Sequence, residues 1–542
     1  DRTRIRPTES VKVTVEVTNR GKVRGDEVVQ LYINDVAATV TRPVRELKGF
    51  TRVTLNPSQT QTVEFTLTSK HLEFLGRDLK PVIEPGDFQV IVGTSSDNGL
   101  QSTLEVVAPG MPLNPLAAVE RDIDPAPKQP VPTAAVSPVD EAFLEDMQKR
   151  SFQYFWENTN PKNGLTFDRV GTNGQRRPAE DNAHNIANIA ASGFALSGYC
   201  IAADRRWITP QQAKDRARTT LEFFANRAFH KNGWFYHWLD YETGERRWNS
   251  EVSSIDTALL LAGILTVKQC FSDDKAIVQL ADTIYRRVDF KWMQGEDQNL
   301  LSHGWKPETG FLKNYWGHYS EDSMLYLLAI GSPTHPIPAN SWYAWERPWQ
   351  EYGGYRYLAS VSPLFIHQFS HAWVDYRNRR ERRPPFVNYF ENSVVATRAQ
   401  QKFFAEILSK EFPKYGLNMW GLTASDSQRG YVAWGAPPRH DRTDGSVVPC
   451  AAAGSLMFTP DITLPALKKM KDGYGDKIYG RYGFADAFNP HNGWVNPDVL
   501  GIDLGITLLS AENLRSGKNW YWFMQNDEIR RALMRVSLDA QP

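Results

Sequence analysis

The hydrophobic periodicity of this chain changes partway along it, and this change limits the fold more than any other feature. Residues 1–108 alternate apolar and polar side chains over short segments, as β-strands do. Residues 139–542 instead carry long segments with apolar residues three and four apart, the spacing of one face of an α-helix. A chain of 542 residues is also too long for one ordinary domain. We therefore predict a multidomain protein, with an all-β part followed by a large all-α part.

The all-β part is predicted from four alternating segments separated by Gly, Pro, Asn and Asp, at residues 11–17, 28–33, 63–67 and 88–92. Short strands at such intervals predict a β-sandwich over residues 1–108. Nothing in this part gathers an acid, a base and a pocket, so we expect a structural or positioning role. Residues 109–138 contain eight prolines, which stiffen the chain, and we predict a linker or a strap lying along the next domain.

The all-α part is predicted from long helical periods separated by aromatic, Gly-rich loops. Some 400 residues of mostly helix exceed a simple bundle. Paired helices joined by long loops suggest a closed set of inner and outer helices, so we predict an (α/α)6 barrel over residues 139–542. The main predicted helices are 142–156, 183–203, 211–229, 253–267, 276–288, 321–330, 393–412 and 506–514.

Composition narrows the classes of function. Lys plus Arg and Asp plus Glu are 62 each, so the formal charge is zero and gives no broad attraction to nucleic acid or an anionic membrane. Aromatic residues make up 12% of the chain, with 17 Trp, a rich supply for stacking on sugar rings. The three cysteines are too scattered for a zinc motif or a disulfide framework, and no Walker or Rossmann glycine pattern is present. We therefore expect no cofactor and no metal.

The ends of the chain give an expectation about processing. No apolar run approaches the length of a membrane span, and no signal peptide is present. Because the sequence starts at Asp1 without a Met, we expect that an upstream segment was removed or was not included.

Four segments of the helical part concentrate acids among aromatic residues. They are 234–256 with Asp240, Glu251 and Asp256; 315–335 with Glu321; 421–444 with Asp426, Tyr431 and Trp434; and 482–512 with Asp486, Trp494, Asp498 and Asp503. Hydrolysis of an acetal needs one carboxylic acid for the leaving oxygen and one carboxylate to activate water or attack directly. An acid at a helix start more often caps the helix or complements its dipole. The shared aromatic setting favours a sugar cleft.

Segments of the sequence resemble two protein families. The segments SEVSSIDTALLLAG, SEDSMLYLLAIGSPTHP, MWGLTASD, YGFADAFNP and VLGIDLGITLLSAENLRSG resemble the glucoamylase-like domain family that includes glycoside hydrolase family 144, the endo-β-1,2-glucanases. The segments VTVEVTNRGKVRGDEVVQLYI and PGDFQVIVGTSS resemble the fibronectin type III-like domain of family 3 β-glucosidases, which there follows the catalytic part. The first resemblance implies an (α/α)6 barrel that hydrolyses linear β-1,2-glucan with inversion to sophoro-oligosaccharides. A periplasmic or secreted location is also expected from it.

The resemblance also implies roles for single residues. Glu321 corresponds to the general acid and Asp503 to the general base, with Asp498 one loop turn away as the alternative base. Leu504 and Ile506 in GIDLGIT depart from the more polar or Pro-containing form of this motif, on the water side of the site. The residues expected to bind sugar or tune the two acids are Asp240, Glu251, Asp256, His367, His371, Asp426, Tyr431, Trp434 and Trp494.

Glu321 poses a physical question. A helix N-terminus favours the ionised form and lowers a carboxyl pKa, the wrong direction for a general acid. Burial or another carboxylate must offset this effect, and Glu251 or Asp256 are the expected neighbours. Asp322, next to Glu321, would point about 100° away around a helix.

Two other motifs compete with this interpretation. His367 and His371 have the i, i+4 spacing of a zinc pair, but Gln368 replaces the Glu of the zincin motif, so carbohydrate binding or a structural pair is favoured. The basic run 377–383 is expected to be a salt-bridged loop.

Three alternatives to an endo-acting hydrolase stay open. The chain could be an exo-acting hydrolase or glucanotransferase of the same fold. It could be a glycan-binding protein without catalysis, although a binding module has no use for an acid–base pair. It could also be the tail of a longer enzyme with a family 3 β-glucosidase upstream.

Overall fold

The chain forms two compact units, Asp1–Asp122 and Ile123–Pro542. This computed structural model describes residues 3–36, 38, 40, 42–76, 79–107, 123–439, 443–538 and 540. The first unit is built from β-sheets and the second mainly from helices. The multidomain layout predicted from the change of periodicity is therefore present.

Two sheets of the first unit enclose an apolar core. The larger sheet has the strand order β1-β9-β8-β3-β4, and β2 pairs antiparallel with β5. Apolar side chains alternate along these strands, so that one face of each sheet is buried. The elements are β1 (Arg4–Ile5), β2 (Val11–Thr18), β3 (Gly25–Asp35), β4 (Glu46–Leu55), β5 (Thr60–Leu67), α1 (Ser69–Leu72), β6 (Phe74–Leu75), β7 (Pro81–Val82), β8 (Gly86–Gly93) and β9 (Gly99–Val106).

Part of the Pro-rich segment lies against the helical unit. Asp124 accepts a hydrogen bond from Arg379 at 3.0 Å, and its carbonyl accepts one from Arg530 at 2.7 Å. The carbonyl of Pro127 accepts from Gln525 at 2.8 Å. Residues 123–137 are thus held as an extended strap, whereas the predicted linker residues 109–122 lie outside the described part of the chain.

The second unit contains helices of two kinds that alternate along the chain. One kind is buried on nearly all sides and comprises α3, α5, α7, α9, α11 and α13. The other kind exposes one face, as α4, α6 and α15 do. The helices are α2 (Pro138–Asn158), α3 (Ile189–Asp204), α4 (Pro210–Asn226), α5 (Ser254–Cys270), α6 (Lys275–Arg287), α7 (Ser323–Gly331), α8 (Ser341–Ala344), α9 (Phe369–Trp373), α10 (Tyr389–Glu406), α11 (Pro449–Ala453), α12 (Pro460–Tyr474), α13 (Gly501–Arg515), α14 (Lys518–Met524) and α15 (Asp527–Arg535).

Short strand pairs connect the loops between these helices, which the sequence did not predict. They are only two to four residues long, too short to show an alternating pattern. They are β10 (Arg169–Gly171), β11 (Ile186–Asn188), β12 (His230–Lys231), β13 (Trp234–Phe235), β14 (Trp238–Asp240), β15 (Val252–Ser253), β16 (Gly304–Lys306), β17 (Gly310–Phe311), β18 (Trp349–Tyr352), β19 (Tyr355–Leu358), β20 (Ala424–Ser427), β21 (Gly430–Ala433), β22 (Tyr479–Gly480), β23 (Gly483–Phe484) and β24 (Asp498–Leu500).

Several predicted helix starts differ from the structure, and three of the differences bear on the site. The segment 506–514 is helical already from Gly501, so Asp503 lies in the first turn of α13. The segment 183–203 begins as a helix only at Ile189, because 186–188 pair with β14 as a strand. The segment 321–330 begins at Ser323, so Glu321 lies in the turn before α7 rather than on it. Among the described residues, no helix combines the length and apolar character needed to cross a membrane.

A pair of glycines lets the buried helices α3 and α5 approach each other closely. A Cβ built on Gly263 would lie 2.1 Å from the carbonyl oxygen of Gly193, and one on Gly193 would lie 2.4 Å from the carbonyl oxygen of Leu259. Real Cβ atoms do not come this close to backbone, which cannot move aside as a side chain can. The two glycines therefore set the separation of these helices.

We expect Gly263→Ala to destabilise the chain by about 2 kcal/mol or more, because the added methyl group forces α3 and α5 apart. Gly473→Ala is the matched control: it lies in α12 with open space around its Cβ, and should be neutral or stabilise by about 0.5–1 kcal/mol. Thermal unfolding of the three proteins checks this prediction. It is wrong if Gly263→Ala unfolds at the temperature of the control.

Candidate active site

The candidate acids lie at or just before the N-terminal ends of buried helices. Each of these helices follows a loop, and the loop brings its last polar side chains to the helix start. Asn188 caps α3 by accepting from the amides of Ala190 and Ala191. The other positions are Asp256 in the first turn of α5, Glu321 and Asp322 before α7, Cys450 in the first turn of α11 and Asp503 in the first turn of α13.

Glu321 is fixed by a neighbouring helix rather than by its own. Ser370 on α9 donates a hydrogen bond to the carbonyl of Glu321 at 2.5 Å and accepts one from the amide of Met324 at 2.9 Å. Ser320 donates to Oε2 of the Glu321 carboxyl. Ser370 thus satisfies the start of α7 and sets the direction of the turn that carries Glu321.

Burial raises the pKa of the Glu321 carboxyl, and the charge of Asp256 raises it further. Burial acts because the charged form of a carboxyl loses more hydration than the neutral form. Asp256 was one of the two neighbours expected to do this. Glu321 therefore keeps its proton to higher pH than an ordinary glutamate, which is the property that a general acid needs.

Asp322 is buried directly behind Glu321, with 1% of its surface exposed. Its Oδ1 accepts from the amide of Ser320 at 3.1 Å, and its Oδ2 has no hydrogen-bond partner among the described residues. Burial, and next the charge of Glu321, raise its pKa well above the usual range. The two adjacent carboxyls thus interact, and the angular separation expected for a helix does not apply, because neither residue is inside α7.

His237 lies between two of the predicted cleft acids. Its Nδ1 is 3.0 Å from Glu251 Oε1 and its Nε2 is 3.4 Å from Asp256 Oδ1. Burial lowers the pKa of His237, but Asp256 and the hydrogen bond to Glu251 outweigh it, and the pKa is raised. Burial likewise acts to raise the pKa of Glu251, yet the hydrogen bond from His237 brings it below the usual value. His237 therefore favours the ionised form of Glu251.

A second group of acids surrounds the start of α13. Asp503 and Asp486 are 7% and 3% exposed. Both line the same small cavity, and burial raises the pKa of both. Asp486 Oδ2 also accepts from the amide of Asp426 at 2.9 Å and from Asn496 Nδ2 at 3.0 Å.

Arg169 connects the second group to the rest of the site. Its Nη1 donates to Asp426 Oδ2 at 2.6 Å and its Nε to Asp168 Oδ2 at 3.0 Å. Asn188 Nδ2 donates to the other oxygen of Asp168 at 3.2 Å. The charge of Asp168 also acts on the pKa of His237 and of Tyr431, one residue from each acid group. Arg169, Asp168 and Asn188 thus connect the second group to the start of α3.

Paired loops hold this connection in place. Strand β10, which begins at Arg169, pairs antiparallel with β24, and β24 leads directly into α13 and Asp503. Strand β11 pairs with β14 and leads into α3. Phe167 bridges to Ala187 of β11, so the two strand pairs are adjacent.

Three of the other predicted sugar-binding residues differ in their exposure and in their contacts. Tyr431 is 55% exposed and lies opposite Asp426 in the β20–β21 pair, so its ring is open to a ligand. Trp494 is half-buried. Asp240 is committed to protein contacts, because Oδ1 accepts from the amides of Glu242 and Thr243 and Oδ2 from Arg247 at 2.7 Å.

Three predicted sugar-binding residues are buried, and their burial does not fit direct contact with sugar. Trp434 is 1% exposed and donates to Ser425 at 3.2 Å. His367 and His371 are both 2% exposed among aromatic rings. Burial lowers the pKa of each histidine to about 3, so both are neutral. His367 ends a 3₁₀ turn and His371 lies on α9, so the two do not share one helix, and both side chains are buried in the core.

Several residues of the site were not among the predicted ones. They are His237, Asp168, Arg169, Asn188, Asn496 and Cys450. His237 is 14 residues from Glu251, whereas Arg169 and Asp426 are 257 residues apart. Asp486 stands in the YGFADAFNP motif, which was the one available signal. Within the described residues, no group of three or more His, Cys, Asp or Glu side chains is placed to hold a metal ion.

The raised pKa of His237 makes the stability of the site depend on pH. Its folded pKa lies above the unfolded value of about 6.5, so the stabilisation is complete below pH ~6.5 and is lost as pH rises through the folded pKa. We expect wild type to exceed His237→Gln in free energy of unfolding by more at pH 6 than at pH 9. Urea unfolding across this range tests it. His335→Gln, at an exposed histidine, should show a flat difference, and a His237→Gln difference that grows with pH would contradict the assignment.

Both units match known family models. Residues 313–527 match a family model named Glycoamylase, which is described as a glucoamylase. Residues 27–96 match the model of the fibronectin type III-like domain. A β-xylosidase of Formosa agariphila is 52% identical over 96 residues, 18% of this chain and 13% of that protein. These matches confirm the two resemblances drawn from the sequence motifs.

Two relatives extend over most of the helical unit. The endo-β-1,2-glucanase of Chitinophaga pinensis, solved with sophorotriose and glucose, is 27% identical with a TM-score of 0.68, covering 75% of this chain and 99% of that chain. An exo β-1,2-glucooligosaccharide sophorohydrolase of Parabacteroides distasonis is 25% identical over 437 residues, 73% of this chain. The chain spans 58% of the length of that relative. The helical unit is thus similar to proteins of the glucoamylase-like family, and the first unit is similar to the fibronectin type III-like domain.

Proposed function

We propose that this protein is a glycoside hydrolase that cleaves internal linkages of β-1,2-glucan. The reaction is a single displacement with inversion. The observation that carries the proposal is Glu321, a half-buried carboxyl of raised pKa beside the charge of Asp256. A second carboxyl, the buried Asp503, lies at the start of another helix of the same unit, and burial raises its pKa. Acetal hydrolysis needs two such groups, one to protonate the leaving oxygen and one to take the proton of water.

Glu321 is the proposed general acid. Its proton moves to the glycosidic oxygen as the bond from that oxygen to the anomeric carbon breaks, and the leaving sugar departs with a free hydroxyl group. Asp256 supports this role because its charge disfavours ionised Glu321. Loss of the proton is then driven by the chemistry of the leaving oxygen and not by solvent.

Asp503 is the proposed base. Water attacks the anomeric carbon from the opposite face and gives its proton to the Asp503 carboxylate. Asp498, the sequence alternative, is 3% exposed and forms an ion pair with Arg177. A carboxylate held by a guanidinium is a weaker base, so its pairing favours Asp503.

The proposed substrate rests on the similarity to two relatives, on the net charge of the chain and on its exposed aromatic residues. The names of the two relatives give β-1,2-glucan or its oligosaccharides as their substrates. A formal charge of zero suits a neutral polysaccharide. Tyr431, at 55% exposure, and Trp248, at 40%, offer aromatic faces to sugar rings. Endo cutting and the expected periplasmic or secreted location are part of the proposal.

The proposed fold of the helical unit is an (α/α)6 barrel. Contacts run from α3 to α5, α5 to α7, α7 to α9, α9 to α13 and α13 back to α3, with α11 against α13. All of these helices are buried. Helices α4, α6, α10 and α12 lie between them in sequence, and α2 and α15 lie before and after them. This alternation supports a ring of inner helices surrounded by outer ones.

Purified protein incubated with linear β-1,2-glucan should release a ladder of short oligosaccharides. Laminarin and cellulose oligomers are the controls, and we expect little product from them. Chromatography of the products separates the alternatives, because disaccharide alone indicates exo cutting and cyclic or longer products indicate a transferase. Binding of glucan without new reducing ends would instead identify a glycan-binding protein and contradict the proposal.

Replacing the proposed acid should remove turnover while leaving binding in place. Glu321→Gln keeps the shape of the side chain but cannot donate a carboxyl proton, so kcat should fall by about 10²–10⁴-fold. Tryptophan fluorescence titration should give a dissociation constant for glucan close to that of wild type. Glu222→Gln, on the exposed face of α4, is the matched control and should keep full activity. Retained turnover in Glu321→Gln would exclude it as the acid.

A further inference from the structure

The turn formed by residues 247–250 holds a tryptophan in a backbone conformation that large side chains avoid. The amide of Ser250 donates to the carbonyl of Arg247 at 3.0 Å, and the central residues Trp248 and Asn249 have φ of 54° and 47°. Positive φ at both central positions is the conformation of a type I′ turn, which favours Gly, Asn and Asp. Asn249 fits this preference, whereas the Cβ of Trp248 crowds its own backbone. The turn itself therefore does not explain a tryptophan at position 248.

Burial does not explain Trp248 either, because the residue is 40% exposed. An aromatic side chain stabilises a fold mainly through the apolar surface that it removes from water. A residue that keeps an unfavourable backbone conformation and still leaves much of its surface in water is typical of a functional site. The exposed surface of the indole is therefore the feature to be explained.

Two contacts hold the indole of Trp248 in a fixed orientation. Its Nε1 donates to the carbonyl oxygen and to the side-chain oxygen of Asn182, both at 3.1 Å. Its ring meets that of Trp238 edge to face, with centroids 5.3 Å apart and an interplanar angle of 65°. A ring that is already held in place loses little freedom when a ligand binds, so it favours binding.

The contact with Trp238 leads from Trp248 to the first group of acids. The Trp238 ring stacks on the ring of His237, with centroids 4.0 Å apart and an interplanar angle of 17°. His237 Nδ1 is in turn 3.0 Å from Glu251 Oε1. Trp238, His237 and Glu251 are all half-buried. A partly exposed surface therefore runs from Trp248 to this acid.

The contact with Asn182 leads toward the second group of acids. Asn182 belongs to the segment 172–185, and Arg177 of the same segment forms an ion pair with the buried Asp498. Asp498 begins β24, which leads directly into α13 and Asp503. The indole thus contacts segments that lead to both acid-bearing parts of the helical unit.

The groups around the indole suit a neutral sugar. The C–H face of a sugar ring is apolar and can stack on an indole, while its hydroxyl groups need polar partners at the edge. The exposed Asn249, the next residue along the chain, offers an amide there. The two arginines of the same loop, Arg246 and Arg247, are paired with Glu308 and Asp240. Their pairing favours a neutral ligand over an anionic one.

We propose that Trp248, supported by Trp238, is a sugar-stacking platform that binds a glucosyl unit of β-1,2-glucan, and that the left-handed backbone at position 248 is retained for this binding. The proposal rests on the proposed substrate. Trp238 and His237 lie between Trp248 and Glu251, so the platform holds a sugar unit away from the bond that is cleaved. Trp248 therefore acts on the binding of the glucan and not on the chemical step.

Replacement of Trp248 should weaken glucan binding without slowing turnover. Trp248→Asn removes the ring and suits the positive φ, so KM for linear β-1,2-glucan should rise about tenfold while kcat is unchanged. Trp248→Phe keeps an aromatic face and should keep part of the affinity. Affinity electrophoresis in gels that contain the glucan measures binding independently of turnover, and Trp248→Asn should be retarded less than wild type.

Arg206→Asn is the matched control for the backbone. Arg206 is exposed, has φ of 60° and lies just beyond the C-terminal end of α3. It should leave KM and retardation unchanged, and both Asn variants should unfold near the wild-type temperature, because Asn tolerates positive φ.

Three results would overturn the platform: wild-type KM and retardation in Trp248→Asn, a loss of kcat at unchanged KM, or a lower unfolding temperature with unchanged binding. If wild type is retarded by the glucan but cuts none of it, the proposed hydrolysis fails, and electrophoresis of the variants still decides the platform. If wild type is not retarded and cuts no glucan, both proposals fail.

Discussion

The site depends on the removal of carboxyl groups from water at the starts of buried helices. Two effects oppose each other there: the helix end favours a charged carboxylate, and burial disfavours it. At Glu321 and Asp503 burial is the largest influence and the pKa is raised. The result is a set of acids that hold protons where exposed ones would not, which is the condition for acid–base chemistry near neutral pH.

Burial raises the pKa of every carboxyl and so cannot by itself make one an acid and another a base. The groups next to each carboxyl determine this difference. At Glu321 burial and the charge of Asp256 outweigh the hydrogen bonds that the carboxyl accepts, and its pKa is raised. At Glu251 the hydrogen bond from His237 outweighs burial, and its pKa is lowered. Arg169 similarly compensates Asp426 and Asp168. His237 and Arg169 thus stabilise the surrounding carboxylates, whereas Glu321 and Asp503 form no ion pair within the described structure.

The sequence predicted the position of this site better than its contacts. Asp256, Glu321 and Asp503 could be placed at helix starts because apolar spacing locates the helices. The partners that tune them could not, since His237 and Arg169 come from loops held by strand pairs of two or three residues. His367 and His371 show the opposite error. Their spacing suggested a pair of binding residues, but spacing does not tell whether the side chains meet a cleft or the core.

The comparison of Asp322 with Asp486 shows why a buried carboxyl is not by itself a catalytic group. Both are nearly inaccessible, and both have one oxygen without a partner among the described residues. Burial, and next the charge of Glu321, raise the pKa of Asp322. Asp486 instead accepts two N–H donors, from the amide of Asp426 and from Asn496, and such donors favour the ionised form of a carboxyl. The donors and charges around a buried carboxyl, and not its burial alone, therefore decide which form it holds.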